Sequence, residues 1–167
     1  MDELIKNNEL YIKLADEIRE IISKARKNVA STINKQLLET YWNIGKIIVE
    51  NENKHKINKT SSRQIILSLS KLLTKELGKG FSRANLFNMR KFYLEYQNVQ
   101  TVSGQLSWSH YCELLVIDDK EKRNFYLNEC INSKWSVREL KRQINSSLYE
   151  RLLLSKGEIN KKSPMDN

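Results

Sequence analysis

Ser61-Ser62-Arg63-Gln64-Ile65-Ile66-Leu67-Ser68-Leu69-Ser70-Lys71-Leu72-Leu73-Thr74-Lys75-Glu76-Leu77-Gly78-Lys79-Gly80-Phe81-Ser82-Arg83-Ala84-Asn85-Leu86 decides the fold class. Ile65, Leu69, Leu72, Leu73 and Leu77 recur at helical spacing. Ser61 with Gln64 three residues later fits a capping box, so a helix is expected from there to Leu77. Gly78-Lys79-Gly80 ends it, because glycine takes the backbone conformation that closes a helix. Ser82 is a good N-cap for a second helix, expected from Arg83 to about Gln97.

The same reading extends in both directions. Upstream, Leu4, Tyr11, Leu14, Ile18, Ile21, Ile22, Ala25 and Val29 are helically spaced, and Ile33, Leu37, Tyr41, Ile44 and Ile48 continue the pattern. No proline separates the two stretches, so one long helix and two shorter ones both fit. Gly45, inside the pattern, costs about 1 kcal/mol against alanine, which a close helix–helix contact would explain. Residues 51–60 are polar and aperiodic, and read as a loop. Downstream, residues 98–106 form a second loop, and Ser107 caps a short helix carrying Trp108, Tyr111, Cys112 and Leu115. Asp118 or Asp119 caps a helix to about Ile131. Ser136 opens, in a capping box with Glu139, a helix to about Leu153. Residues 1–154 thus form one helical domain, and 155–167 read as a disordered tail or a truncated linker.

The composition agrees. The 167 residues include one proline and five glycines, too few turn residues for an all-β fold. The expected class is an all-α multi-helix bundle containing a helix-turn-helix-like unit. Two cysteines, Cys112 and Cys130, cannot supply a disulfide framework and read as buried reduced thiols. The aliphatic runs are far shorter than the ~20 residues of a membrane span. The acidic start Met1-Asp2-Glu3 is unlike a signal peptide, so a cytoplasmic protein that avoids membranes is expected.

Charge points to a partner. There are 29 Lys and Arg against 20 Asp and Glu, a net charge of +9. Residues 1–50 are neutral, with 8 charges of each sign. Residues 54–91 hold Lys54, Lys56, Lys59, Arg63, Lys71, Lys75, Lys79, Arg83, Arg90 and Lys91 against the single acid Glu76. So dense a basic segment fits an anionic polymer, here double-stranded DNA. In a helix-turn-helix the second helix enters the major groove. Lys79, Ser82, Arg83, Asn85, Asn88 and Lys91 are the candidate DNA-binding residues: cations for phosphate, Arg83 for guanine, Asn85 or Asn88 for adenine. Arg90 falls near the buried face of that helix and is ranked below them as an ion-pair residue. A second basic helix start supplies Arg138, Lys141 and Arg142 as secondary candidates. The alternative role is protein interaction, with residues 1–50 pairing to a second copy or another subunit.

No catalytic constellation emerges. Ser107 and His110 lack an orienting acid. Asp118-Asp119-Lys120-Glu121-Lys122 reads as a capped, charged turn rather than a metal site. No catalytic residue, metal ligand or cofactor is therefore assigned.

Four blocks resemble one bacterial family, the YhcG-like proteins. They are Tyr41-Trp42-Asn43-Ile44-Gly45-Lys46-Ile47-Ile48; Gly78-Lys79-Gly80-Phe81-Ser82-Arg83-Ala84-Asn85-Leu86-Phe87-Asn88-Met89-Arg90-Lys91-Phe92-Tyr93; Gln105-Leu106-Ser107-Trp108-Ser109-His110-Tyr111-Cys112-Glu113-Leu114-Leu115; and Trp135-Ser136-Val137-Arg138-Glu139-Leu140-Lys141-Arg142-Gln143-Ile144. The resemblance implies a helical DNA-binding region that, in longer members, precedes a PDDEXK-type nuclease domain. This chain has no Pro-Asp pair, since Pro164 precedes Met165, so nuclease activity is not expected to carry over. The implied function is DNA binding without chemistry, with a nuclease domain or subunit as partner.

Overall fold

A computed structural model describes residues 2–161, with side-chain surroundings for 5–156. The fold is all-α: seven helices and no strand among the described residues. α1 spans Asp2–Lys54, α2 Lys59–Leu77 and α3 Arg83–Glu95. A 3-10 turn at Val99–Thr101 leads to α4, Trp108–Leu114. Then come α5 (Lys120–Asn132), α6 (Val137–Asn145) and α7 (Leu148–Lys161). No described helix is long and apolar enough to cross a membrane.

Local chemistry sets the boundaries. Ser82, Ser107 and Ser136 each accept the backbone N–H three residues on, at Asn85, His110 and Glu139. This satisfies one of the orphan donors at a helix start. Asp119, not Asp118, caps α5 by accepting from Lys122 N. Gly78 and Gly80 take φ of +86° and +109°, which a side chain would disfavour, so α2 stops there and the chain turns into α3.

The structure departs from the sequence reading at four boundaries. α1 is one helix and runs into the expected loop as far as Lys54. α2 begins one turn early: Asn58 is its cap, accepting from Ser61 N at 2.8 Å, and Ser61 and Ser62 lie inside the helix. The buried Ser62 hydroxyl instead donates to Glu52. The expected single helix after Ser136 is two, broken where Ser147 adopts φ +56°. α7 then runs past 154 to Lys161, so the first part of the expected tail is helical, while 162–167 lie outside the described residues.

α3 is the axis of the body. Leu86, Met89 and Phe92, fully buried, face two clusters. Leu86 and Met89 pack with Ile48 of α1 and Ile66 of α2. Phe92 packs with Leu38 and Trp42 of α1, Tyr111 and Leu114 of α4, Tyr126 of α5 and Leu140 of α6. Trp108 touches both clusters. Each such burial stabilises by roughly 1.5–3 kcal/mol. α1 approaches α3 at Gly45, where a Cβ would lie 2.0 Å from the Met89 carbonyl oxygen. The glycine in the helical pattern thus marks a close backbone contact. Trp42 reinforces it, with its indole N–H donating to the Tyr96 carbonyl at 2.6 Å.

Candidate nucleic-acid interface

The candidate residues on α3 have mostly internal work. Ser82 is committed to its cap. Asn85 uses both ends of its amide: Nδ2 donates to Gly80 O at 2.5 Å, and Oδ1 accepts the Trp108 indole N–H at 2.8 Å. Asn88 is half-buried and faces Cys112 of α4. Lys91 pairs with Asp118 at 2.8 Å. That bond, and the ammonium charge behind it, hold the Asp118 carboxyl below the usual carboxylate range. Glu95, on the same side, pairs with the fully buried Arg123. That side of α3 is therefore partly occupied, by Trp108 of α4, Asp118 of the loop before α5 and Arg123 of α5. A reading helix must offer its side chains to base edges in the major groove. Of α3 only Arg83, Ala84 and Leu94 are exposed. To reach a base edge, Asn85 would have to give up its bonds to Gly80 and Trp108.

Arg90 is the structural residue that its position on the helix implied. Its guanidinium holds the Glu52 carboxylate by Nε at 2.9 Å and Nη2 at 2.7 Å. Burial pushes the Glu52 carboxyl up, but the Arg90 and Ser62 hydrogen bonds and the guanidinium charge outweigh it, leaving it below its ordinary value.

The exposed charge lies instead on α2 and its two flanking turns. Lys54, Lys56, Lys59, Arg63, Lys71, Lys75, Lys79 and Arg83 are all exposed. None of these eight pairs with a carboxylate among the described residues; the ion pairs run through Arg19, Lys46, Arg90, Lys91, Lys122, Arg123, Lys141 and Arg142. Lys59, Ser62, Arg63, Phe87 and Arg90 line a shallow hollow of about 280 Å³ where the first turn of α2 meets α3. The Arg83 guanidinium stands 6.0 Å from the Phe87 ring centroid at its rim. The partial positive charge of the α2 N-terminus adds to the field there. The hollow can hold an anionic oxygen between cations, with an aromatic shelf for a sugar or base beside it.

Lys79 and Arg83 therefore remain open to a ligand, whereas Ser82, Asn85, Asn88 and Lys91 are engaged within the fold. Lys59 and Arg63 were legible as part of the basic window, and their spacing of four puts them on one face of a helix. Nothing in the sequence marked Phe87. Of the secondary candidates, Arg138 is exposed and unpaired among the described residues. Arg142 pairs with Glu139 at 2.8 Å, and Lys141 stands 3.8 Å from Glu113. All three lie on α6, which packs on α4, α5 and α7.

The remaining chemistry-bearing groups make contacts within the fold. His110 accepts the Ser107 N–H at Nδ1 and meets the Trp135 carbonyl at Nε2, 2.8 Å away. Burial pushes the Cys112 and Cys130 thiols up to about 11. No group of three or more His, Cys, Asp or Glu side chains among the described residues is placed to hold a metal ion.

Comparison with known proteins gives this arrangement its relatives. "Putative nuclease YhcG" of Escherichia coli (strain K12) is 34% identical over 177 aligned positions, which cover 87% of this chain and 47% of that protein. The chain thus spans about half the length of that relative. No solved structure matches. The family model described as the DUF1016 N-terminal domain matches residues 17–151, a span that contains Gly45, the α2–α3 turn and all four blocks on which the resemblance was drawn. The chain belongs to the DUF1016 N-terminal domain family.

Proposed function

We propose that this chain binds double-stranded DNA through the exposed cations of α2 and its flanking turns, and that it serves as the targeting part of a PDDEXK-type nuclease system. One observation carries the reading. Eight exposed, uncompensated cations lie between Lys54 and Arg83, and three of them gather around Phe87. Unpaired cations at this density repel one another, and a phosphate backbone removes that repulsion while releasing its own counterions. The name of the relative, "Putative nuclease YhcG", supports a nucleic-acid substrate for the larger system.

In this reading Lys59, Arg63 and Arg83 hold phosphate at the hollow, and Lys71, Lys75 and Lys79 meet the flanking backbone. Arg138 is a secondary contact. Contacts of this kind position a duplex more than they read it. This chain contributes binding and no bond-breaking step.

Fluorescence anisotropy on a labelled duplex, titrated across salt, tests the reading. Log affinity should fall with log salt at about −0.9 per phosphate contacted. Lys59→Ala/Arg63→Ala/Arg83→Ala should weaken binding at least tenfold and flatten that slope by two to three contacts' worth, with thermal unfolding unchanged. Absence of binding by the wild type at low salt, or wild-type affinity in the triple variant, overturns it.

A further inference from the structure

The first half of α1 carries an apolar stripe that nothing among the described residues covers. Tyr11, Leu14, Ile18, Ile22, Val29 and Ile33 are 46% to 71% exposed. At 3.6 residues per turn these six fall on one face. The face of α1 that meets the body is set by Asn34, which donates to the Gly104 and Leu106 carbonyls, and by Leu38, Trp42, Gly45, Val49 and Glu52. At 3.6 residues per turn it lies about 180° around the helix from the stripe. The body therefore sits on the far side of its own helix and leaves the stripe open to another molecule. A helix with one long apolar face is stable in water only when that face is covered.

Charge identifies the occupant. Residues 2–20 hold Asp2, Glu3, Glu9, Asp16, Glu17 and Glu20 against Lys6, Lys13 and Arg19, a net −3. Residues 21–38 hold Lys24, Arg26, Lys27 and Lys35 and no acid, a net +4. Two copies laid parallel would put acid on acid and base on base. Laid antiparallel, each acidic stretch lies along the basic stretch of the other, around a dyad near Ile21 and Ile22. Leu14 then opposes Val29, Ile18 opposes Ala25 and Ile21 opposes Ile22, so apolar groups meet through the middle of the overlap. From Tyr11 to Ile33 that overlap is about 33 Å, or three heptads.

We propose that α1 is a self-association surface, through which two copies pair antiparallel with the body of each facing away from the other. The arrangement is two-fold symmetric and closes on itself, as dimer interfaces do. It stands on the stripe and the charge division, independently of what the basic hollow binds.

Sedimentation velocity of the full chain over a range of concentrations should show a dimer. Ile18→Glu/Ile22→Glu should be a monomer. Trp42, Trp108 and Trp135 all lie in the body, so unchanged tryptophan fluorescence and urea midpoint in that variant would show that the body is intact. A 1:1 mixture of ¹⁴N and ¹⁵N protein, joined with a carbodiimide, gives the direction. Mixed-isotope links of Glu9, Asp16 or Glu17 to Lys24, Lys27 or Lys35 are expected. A wild type that stays monomeric, a dimer that survives Ile18→Glu/Ile22→Glu, or mixed-isotope links of Lys13 to Glu9 or Glu17 would each overturn the proposal.

Discussion

Gly45 of α1 lies so close to Met89 of α3 that a Cβ on it would stand 2.0 Å from the Met89 carbonyl oxygen and 3.0 Å from the Tyr93 Cβ. On an exposed helix, glycine to alanine stabilises by about 1 kcal/mol. Here the sign reverses, because the obstacle is backbone and the two helices must separate. Gly45→Ala should cost roughly 1–3 kcal/mol, as overpacking does, and Gly45→Val more. Urea denaturation followed by tryptophan fluorescence measures it, and stabilisation by Gly45→Ala would show that the two helices are not in contact there.

Glu52, buried beneath Arg90 and Ser62, predicts a pH dependence. Its folded carboxyl titrates below the ordinary value of 4.5, so it contributes stability that is present above that value. The contribution is lost as pH falls through the lower, folded value. Glu52→Gln should cost about 1–3 kcal/mol at pH 7, since it removes the charge from a partly buried, hydrogen-bonded ion pair. The difference between wild type and variant should narrow steadily below about pH 4.5. Urea midpoints at pH 7 and pH 3 give the two values, and an equal difference at both would mean that Glu52 is not ionised in the fold.

Asn85 separates a structural amide from a base-reading one. Its amide joins the glycine turn to Trp108, so Asn85→Ala should cost about 1–3 kcal/mol. Once corrected for the folded fraction, duplex affinity should match the wild type. A loss of affinity at full folding would return Asn85 to the DNA contact.

Both thiols should be slow. Burial raises Cys112 and Cys130 to about 11, so at pH 8 the reactive thiolate is scarce. The Asn88 amide pulls Cys112 the other way without overcoming burial. Labelling with a thiol reagent should be slow on the native protein and reach two groups per chain once it is unfolded. A rapid single equivalent on the native protein would mark Cys112, the half-buried one, as accessible.

The helix starts were legible where one residue's chemistry determines them: the Ser82, Ser107 and Ser136 caps and the Gly78 stop depend on groups within three or four residues. Features that depend on distant residues were not. Ser61 has the letters of a cap, but burying Ser62 against Glu52 draws the helix start back to Asn58. The break at Ser147 has no glycine or proline to announce it. Asn85, Asn88 and Lys91 all lie away from Leu86 on a helical wheel, and solvent was the natural expectation for that side. Trp108, Cys112 and Asp118 occupy it, from segments whose position the wheel cannot show. The basic window was visible in the sequence, but which of its members stay open was decided by the fold.

Continuity of α1 has a mechanical consequence. From Tyr11 to Glu52 the backbone has no joint, and its one glycine is wedged against α3. The helix is therefore a strut, not a tether. Were the body joined to its stripe by a flexible linker, a paired molecule would sample many separations and gain avidity only through effective concentration. With a strut, the two bodies of a pair would stand at a set separation, about 70 Å between their Gly45 positions, and at a set rotation about the helix axis. Such a pair would act as a caliper, preferring sites on DNA that present both phosphate tracks at its own span.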